Sequence, residues 1–213
     1  MSQALRQLAA LEAQALAVLG APLSLAALRE GDIDAEQLPA PSPWQRDHHR
    51  GRAALARVLE RLGRDDPADD LRFPHPRFSL SHSGDWAIAA GCAQARGVGV
   101  DLEFARPMDP RTARFFLAGN ELAYVDALPT DARPAEMLRL WTAKEAVFKA
   151  CATNAGMLLT DFILDDPGAH AGMARSADGS AFRARYLSID LGAGWLSLAL
   201  ADDAAMAATE PCA

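Results

Sequence analysis

The sequence predicts an α+β fold made of two similar halves. Stretches with a helical period alternate with short runs that either alternate or stay apolar, as strands do. One strand-like run follows a glycine in each half: Gly84-Asp85-Trp86-Ala87-Ile88-Ala89-Ala90 is echoed by Gly194-Trp195-Leu196-Ser197-Leu198-Ala199-Leu200. With 213 residues, half of them hydrophobic and 23% charged, the chain can bury a core as one domain or as two small ones. The expected division is an N-terminal lobe over 1–106 and a C-terminal lobe over 107–213, joined near 104–114.

The elements follow in order. Residues 3–18 read as an amphipathic helix, and 20–42, with Pro22, Pro39 and Pro41, read as loop. Ser42 is an N-cap and Pro43 a first helical residue, so a helix is expected from 43 to 62, stopped by Gly63. Leu55, Val58, Leu59 and Leu62 form its buried stripe. A polar loop covers 64–77. Phe78 to Ser81 alternate like a short strand, Ser83-Gly84-Asp85 turns, and Trp86 to Ala90 returns. Gly97 to Glu103 is a buried strand. Residues 104–114 connect, 120–127 form a short helix, and a longer helix carries Leu140 to Ala150. Strands are expected at 162–164, 182–189 and 195–200, and the tail from about 202 is loose.

Composition removes several classes. The net charge of −7 leaves no global basic field for nucleic acid. No apolar run has signal or membrane length. Cys92, Cys151 and Cys212 are odd in number and have no CxxC spacing, which fits reduced thiols in a cytoplasmic protein. An anionic ligand must therefore meet a local patch. Between 42 and 64, six Arg stand against Asp47 and Glu60, a charge of +4; Arg46, Arg50, Arg57, Arg61 and Arg64 gather on one side. This is either a solvated face or a surface for anions.

The chain has 21 basic side chains and only two are lysines, Lys144 and Lys149. Both lie in Trp141-Thr142-Ala143-Lys144-Glu145-Ala146-Val147-Phe148-Lys149. Glu145 and Lys149 sit one turn apart on one helix face, with Lys144 about 100° round at its edge. Trp141 and Phe148 share a stripe that can anchor the helix. Lysine is a compact donor that a guanidinium cannot always replace at a phosphate; the plain alternative is an exposed Glu–Lys pair. On the strand before it, Asp101 and Glu103 project from one sheet face. Two adjacent carboxylates repel unless a cation lies between them, and all-oxygen ligands favour Mg²⁺ with a phosphate-bearing substrate; a hydrated strand end is the alternative. Ser81, His82 and Ser83 gather hydroxyls and an imidazole at a strand end, which suits a phosphate. No G-x-S-x-G elbow supports a serine hydrolase.

Three segments therefore stand in order: Phe78-Ser79-Leu80-Ser81-His82-Ser83, Gly97-Val98-Gly99-Val100-Asp101-Leu102-Glu103, and Trp141 to Lys149. Together they resemble the phosphopantetheinyl transferases of the larger, surfactin-synthetase-activating type, over roughly 43–165. The Arg-rich helix and Arg114-Phe115-Phe116 add to the likeness. Gly99 stands where the family often has Asp, and Arg72 or Arg77 replaces a basic segment before the His motif.

The resemblance implies the fold of that family, two α/β lobes forming a pseudo-dimer within one monomeric chain. It implies transfer of 4′-phosphopantetheine from coenzyme A to a serine of an apo acyl or peptidyl carrier protein, releasing 3′,5′-ADP, as a holo-carrier-protein synthase does. Asp101, Glu103 and Glu145 would bind Mg²⁺ on the pyrophosphate. Glu145, directly or through a metal-bound water, would be the general base, and Lys149 would stabilise developing charge. Ser81 and His82 would hold the 3′-phosphate, with Arg46, Arg50, Lys144 and Lys149 as further coenzyme contacts. Acidic carriers would suit the basic helix. The rival readings are a family member that binds coenzyme A or a carrier without transfer, and a Mg²⁺-dependent phosphohydrolase using the same carboxylates.

Overall fold

The computed structural model describes residues 7–32 and 42–202; the expected start of the first helix at 3–6, Pro39, Pro41, the tail from 203 and Cys212 lie outside the described residues. The fold is α+β, with helices α1 (Leu8–Leu19), α2 (Pro43–Arg61), α3 (Gly119–Ala127) and α4 (Arg133–Ala150). The strands are β1 (Ser24–Arg29), β2 (Phe78–Ser83), β3 (Trp86–Gly91), β4 (Val98–Phe104), β5 (Phe162–Leu164), β6 (Ala171–Ser176), β7 (Arg183–Asp190) and β8 (Gly194–Ala201). They form two antiparallel sheets, a three-stranded one ordered β1-β3-β2 and a five-stranded one ordered β4-β8-β7-β6-β5. Among the described residues no helix is long and apolar enough to cross a membrane.

Strand alternation sorts the side chains into three apolar layers. Trp86, Ile88 and Ala90 of β3 meet Val98, Val100 and Leu102 of β4 and Leu196, Leu198 and Leu200 of β8, and α1 joins this layer through Leu11, Ala15 and Leu19. The opposite face of the small sheet, with Ala26, Leu28, Phe78 and Ala89, packs on Leu55, Val58 and Leu59 of α2. The opposite face of the large sheet, with Phe162, Ala184, Tyr186 and Ala199, packs on Leu140, Ala143, Ala146 and Val147 of α4. Each fully buried Leu or Val there contributes about 1.5–3 kcal/mol.

α2 begins as its sequence dictates. Gln45 N–H donates to Ser42 Oγ at 3.3 Å and Ser42 N–H donates to Gln45 Oε1 at 3.2 Å, a reciprocal cap that satisfies two otherwise unpaired donors. At the end of α4, Asn154 Nδ2 donates to the terminal carbonyl of Phe148 at 2.9 Å. α1 closes on Gly20, whose φ of 74° is left-handed and which donates to Leu16 O.

Two strands depart from the sequence expectation. β1 lies inside a stretch read as loop, and β6 was read as no element. Ser24-Leu-Ala-Ala-Leu-Arg and Ala171-Gly-Met-Ala-Arg-Ser contain no β-branched or aromatic residue, so their strand character comes from pairing with β3 and β7 and not from propensity. β4, which precedes residue 107, pairs along its whole length with β8, which follows it.

β4 makes no backbone ladder with β2, yet the two strands are joined. Ser79, Ser81 and Ser83 share one face of β2. Their Oγ atoms accept from the N–H groups of Val100 at 3.0 Å, Leu102 at 3.2 Å and Phe104 at 3.2 Å. Side chains thus satisfy three backbone donors along the free edge of the large sheet.

Candidate functional site

The face of β4 opposite its valines is what builds the site. A Cβ on Gly97 or Gly99 would overlap the carbonyl oxygens of Ala150 and Ala146 respectively, so α4 can lie flush on β4 only because these positions have no side chain. Any side chain at position 99 would push the helix away. The next two residues on that face are Asp101 and Glu103. Flush packing brings them under a row of α4, Trp141, Glu145 and Lys149, spaced by one turn each. These five residues, with Ser81 and His82, line one open hollow of about 370 Å³.

Within it Asp101 is 5% exposed. Its Oδ1 accepts from Ser81 Oγ at 2.8 Å and from Lys149 Nζ at 2.7 Å. Its Oδ2 is buried with no hydrogen-bond partner. Glu103 Oε2 accepts from Ser83 Oγ at 3.2 Å, and Arg106 stands 3.6 Å from Oε1. Burial pushes the Glu145 carboxyl above the usual carboxylate range; Lys149 opposes this, and Asp101 and Glu103 add to it. Such a group takes a proton more readily than an ordinary carboxylate.

These residues fit a hard divalent cation: all donors are carboxylate oxygens, and one of them is an orphaned buried acceptor. Among the described residues no three such side chains are already gathered as a finished ligand cluster. Lys149, from α4, sets its ammonium beside Asp101.

His82 is exposed and lines three adjoining hollows. One, of about 390 Å³, runs along Phe73, Phe78, Phe148 and Lys149. Another is bordered by Trp44, His48 and Arg52, with Trp44 stacked on His48 at 5.7 Å and the Arg52 guanidinium 5.2 Å from the Phe73 ring centre.

Other expected contacts are placed elsewhere. Lys144 does not edge the Glu145 face of the cleft. It is fully buried and paired with the equally buried Glu121 at 2.5 Å, and burial drives its pKa down against the pull of Glu121. α4 is covered on most sides, so the flank 100° from Glu145 faces α3 and β5, where Glu121 also accepts from Ala118 N–H at 2.6 Å and Leu164 N–H at 2.9 Å. Arg46 lies 3.8 Å from Glu30, and Arg50, 4% exposed, pairs with Asp47 and stands 4.0 Å from Glu30. Neither lines the carboxylate hollow; from α2, it is Arg52 and His48 that reach the hollow beside His82. Sequence reasoning read Ser83 as a phosphate contact, not as a partner of Glu103, and missed Glu121. The alternation of Phe78-Ser-Leu-Ser-His-Ser signalled Ser83; nothing local signalled Glu121.

Comparison with known proteins gives the arrangement a family. The protein matches the model of the 4′-phosphopantetheinyl transferase superfamily over residues 97–207, more than half of the chain. It is similar to 4′-phosphopantetheinyl transferase psf-1 of Bacillus pumilus, 32% identical over 91 residues, covering 43% of this chain and 38% of that protein. It is also similar to 4′-phosphopantetheinyl transferase Sfp of Bacillus subtilis (strain 168), 29% identical over 89 residues, covering 42% and 39%, and to 4′-phosphopantetheinyl transferase gsp of Aneurinibacillus migulanus, 27% identical over 88 residues, covering 41% and 36%. The matched stretch thus spans under two fifths of each of these relatives. The match to the family model takes in β4 with Asp101 and Glu103 and α4 with Glu145 and Lys149, and on it the chain belongs to the 4′-phosphopantetheinyl transferase superfamily.

Proposed function

We propose that this protein transfers 4′-phosphopantetheine from coenzyme A to a serine of an apo acyl or peptidyl carrier protein, as a holo-carrier-protein synthase. The observation that carries the reading is the convergence of Asp101, Glu103, Glu145 and Lys149 on one hollow, with Asp101 Oδ2 unpartnered. The names of its relatives support the same reaction.

The carrier serine hydroxyl attacks the phosphorus that bears the pantetheine arm. A P–O bond forms to the serine, the P–O bond to the other phosphate breaks, and 3′,5′-ADP departs. Glu145 takes the hydroxyl proton; its raised pKa makes it a stronger base than an exposed glutamate. Lys149 stabilises the charge that grows on the phosphate oxygens. Asp101, Glu103 and Glu145 would hold Mg²⁺, which when bound neutralises the pyrophosphate. His82 meets the 3′-phosphate from its exposed place between the hollows. The α2 arginines that face solvent give acidic carriers a complementary surface. We assign the reaction to a single chain acting in the cytoplasm.

The test is intact-mass measurement of several apo carrier proteins after incubation with the protein, coenzyme A and Mg²⁺. A gain of one phosphopantetheine, lost with EDTA, is the expected result. Binding of coenzyme A with no gain on any carrier would favour a binding role instead, and release of phosphate from coenzyme A without a carrier would favour hydrolysis.

A further inference from the structure

The serines of β2 do more than cap a sheet edge. A hydroxyl has one proton to donate. Ser81 gives its proton to Asp101 Oδ1 at 2.8 Å while accepting from Leu102 N–H at 3.2 Å. Ser83 gives its proton to Glu103 Oε2 at 3.2 Å while accepting from Phe104 N–H at 3.2 Å. Each serine thus grips one carboxylate and the backbone amide that follows it. The amide fixes where the oxygen sits, and the oxygen fixes where the carboxylate turns. For Asp101 the outcome is visible: Oδ1 is taken by Ser81 and Lys149, and Oδ2 is the oxygen left bare.

We infer that Ser81 and Ser83 are positioning residues that orient Asp101 and Glu103 for a divalent cation, and that Ser81 does not bind the 3′-phosphate of the coenzyme. Its single proton is spent on Asp101, and it is 7% exposed, whereas its neighbour His82 is exposed. A phosphate could take the Ser81 proton only by leaving Asp101 without it. The inference rests on the transferase reading and moves one residue from substrate contact to carboxylate control.

Calorimetric binding separates the two roles without using turnover. Coenzyme A and 3′-dephospho-coenzyme A are each titrated in Mg²⁺ and in EDTA. Ser81→Ala is expected to shrink the Mg²⁺-dependent gain in affinity by about tenfold, the effect of losing a hydrogen bond to a charged group. The loss should be alike for both ligands, with the preference for coenzyme A over its dephospho form kept. Ser81→Thr, which retains the hydroxyl, should restore the gain, and His82→Ala should erase the preference. Ser83→Ala, at the half-exposed end of β2, repeats the test on Glu103 should Ser81→Ala melt early. A Ser81→Ala protein that keeps the Mg²⁺ gain but loses the preference overturns the inference and returns Ser81 to the phosphate. Wild-type protein with no Mg²⁺ gain for either ligand would bring down the transferase reading and this inference together; a normal wild-type gain with unchanged variants brings down only the inference.

Discussion

Lys149 Nζ lies 2.7 Å from Asp101 Oδ1 and 3.2 Å from the carbonyl oxygen of Val100. One ammonium therefore ties α4 to β4 at the mouth of the hollow and holds a positive charge beside three carboxylates. Lys149→Met should lower kcat/KM for transfer by about 10²- to 10³-fold, the usual scale for one lost donor to developing charge. Lys149→Arg should recover little, because a broad planar guanidinium does not fit the place of a compact ammonium held against both acceptors. Steady-state kinetics on both variants checks this, and an arginine variant near wild-type rates would contradict it.

Gly99→Ala probes the close approach that assembles the site. The new Cβ would overlap Ala146 O, a backbone atom of α4 that cannot swing aside. A loss of about 3 kcal/mol in stability is expected, at the upper end for overpacking. Chemical denaturation gives the number; an unchanged midpoint would mean that α4 can lift from β4 freely.

Glu145→Gln separates function from stability. Transfer should fall by about 10²- to 10⁴-fold with the loss of a general base. Stability should move the other way. A carboxyl whose pKa is raised in the folded state is destabilised in its charged form, so its contribution is best below the unfolded pKa and declines as pH rises through the folded one. In EDTA at neutral pH the glutamine variant should melt at or above the wild-type temperature. The difference should vanish once acid protonates Glu145. Melts across that pH range report it, and a variant that melts lower at neutral pH would show that burial does not govern this group.

Lys144→Met tests the interior ion pair. It leaves Glu121 charged at a site that excludes water, and breaking a buried pair from one side costs about 3–5 kcal/mol. The pairing Lys144→Met with Glu121→Gln should regain much of this. Where the single variant is still folded, coenzyme A affinity should be close to wild type, because the side chain is remote from solvent. A selective loss of affinity would return Lys144 to the coenzyme.

The parts of this protein that were legible in sequence are those fixed by neighbours along the chain. Ser42 and Pro43 announce α2 because a cap needs only residues three apart. The face shared by Glu145 and Lys149 follows from helical period alone. Lys144 was misplaced because period gives an angle and not the identity of what packs there; Glu121 is 23 residues distant. β1 was illegible because its alanines and leucines suit a helix as well, and only β3 makes them a strand. The serine alternation of β2 was visible, but its meaning depended on the edge of β4, some twenty residues later. Of the two acids near Arg50, Asp47 is countable three residues away along the chain, whereas Glu30 reaches 4.0 Å only through the fold.

The scarcity of lysine gives the cleft a chemical signature of its own. Of the two lysine side chains in this sequence, Lys144 is sealed from solvent while Lys149 keeps 28% of its side chain exposed. An acylating reagent therefore meets one reachable side-chain amine, and that amine stands beside Asp101. The rate at which a small ester modifies it, with and without a nucleotide in the cleft, would read occupancy of the hollow directly, with no carrier protein or coupled assay.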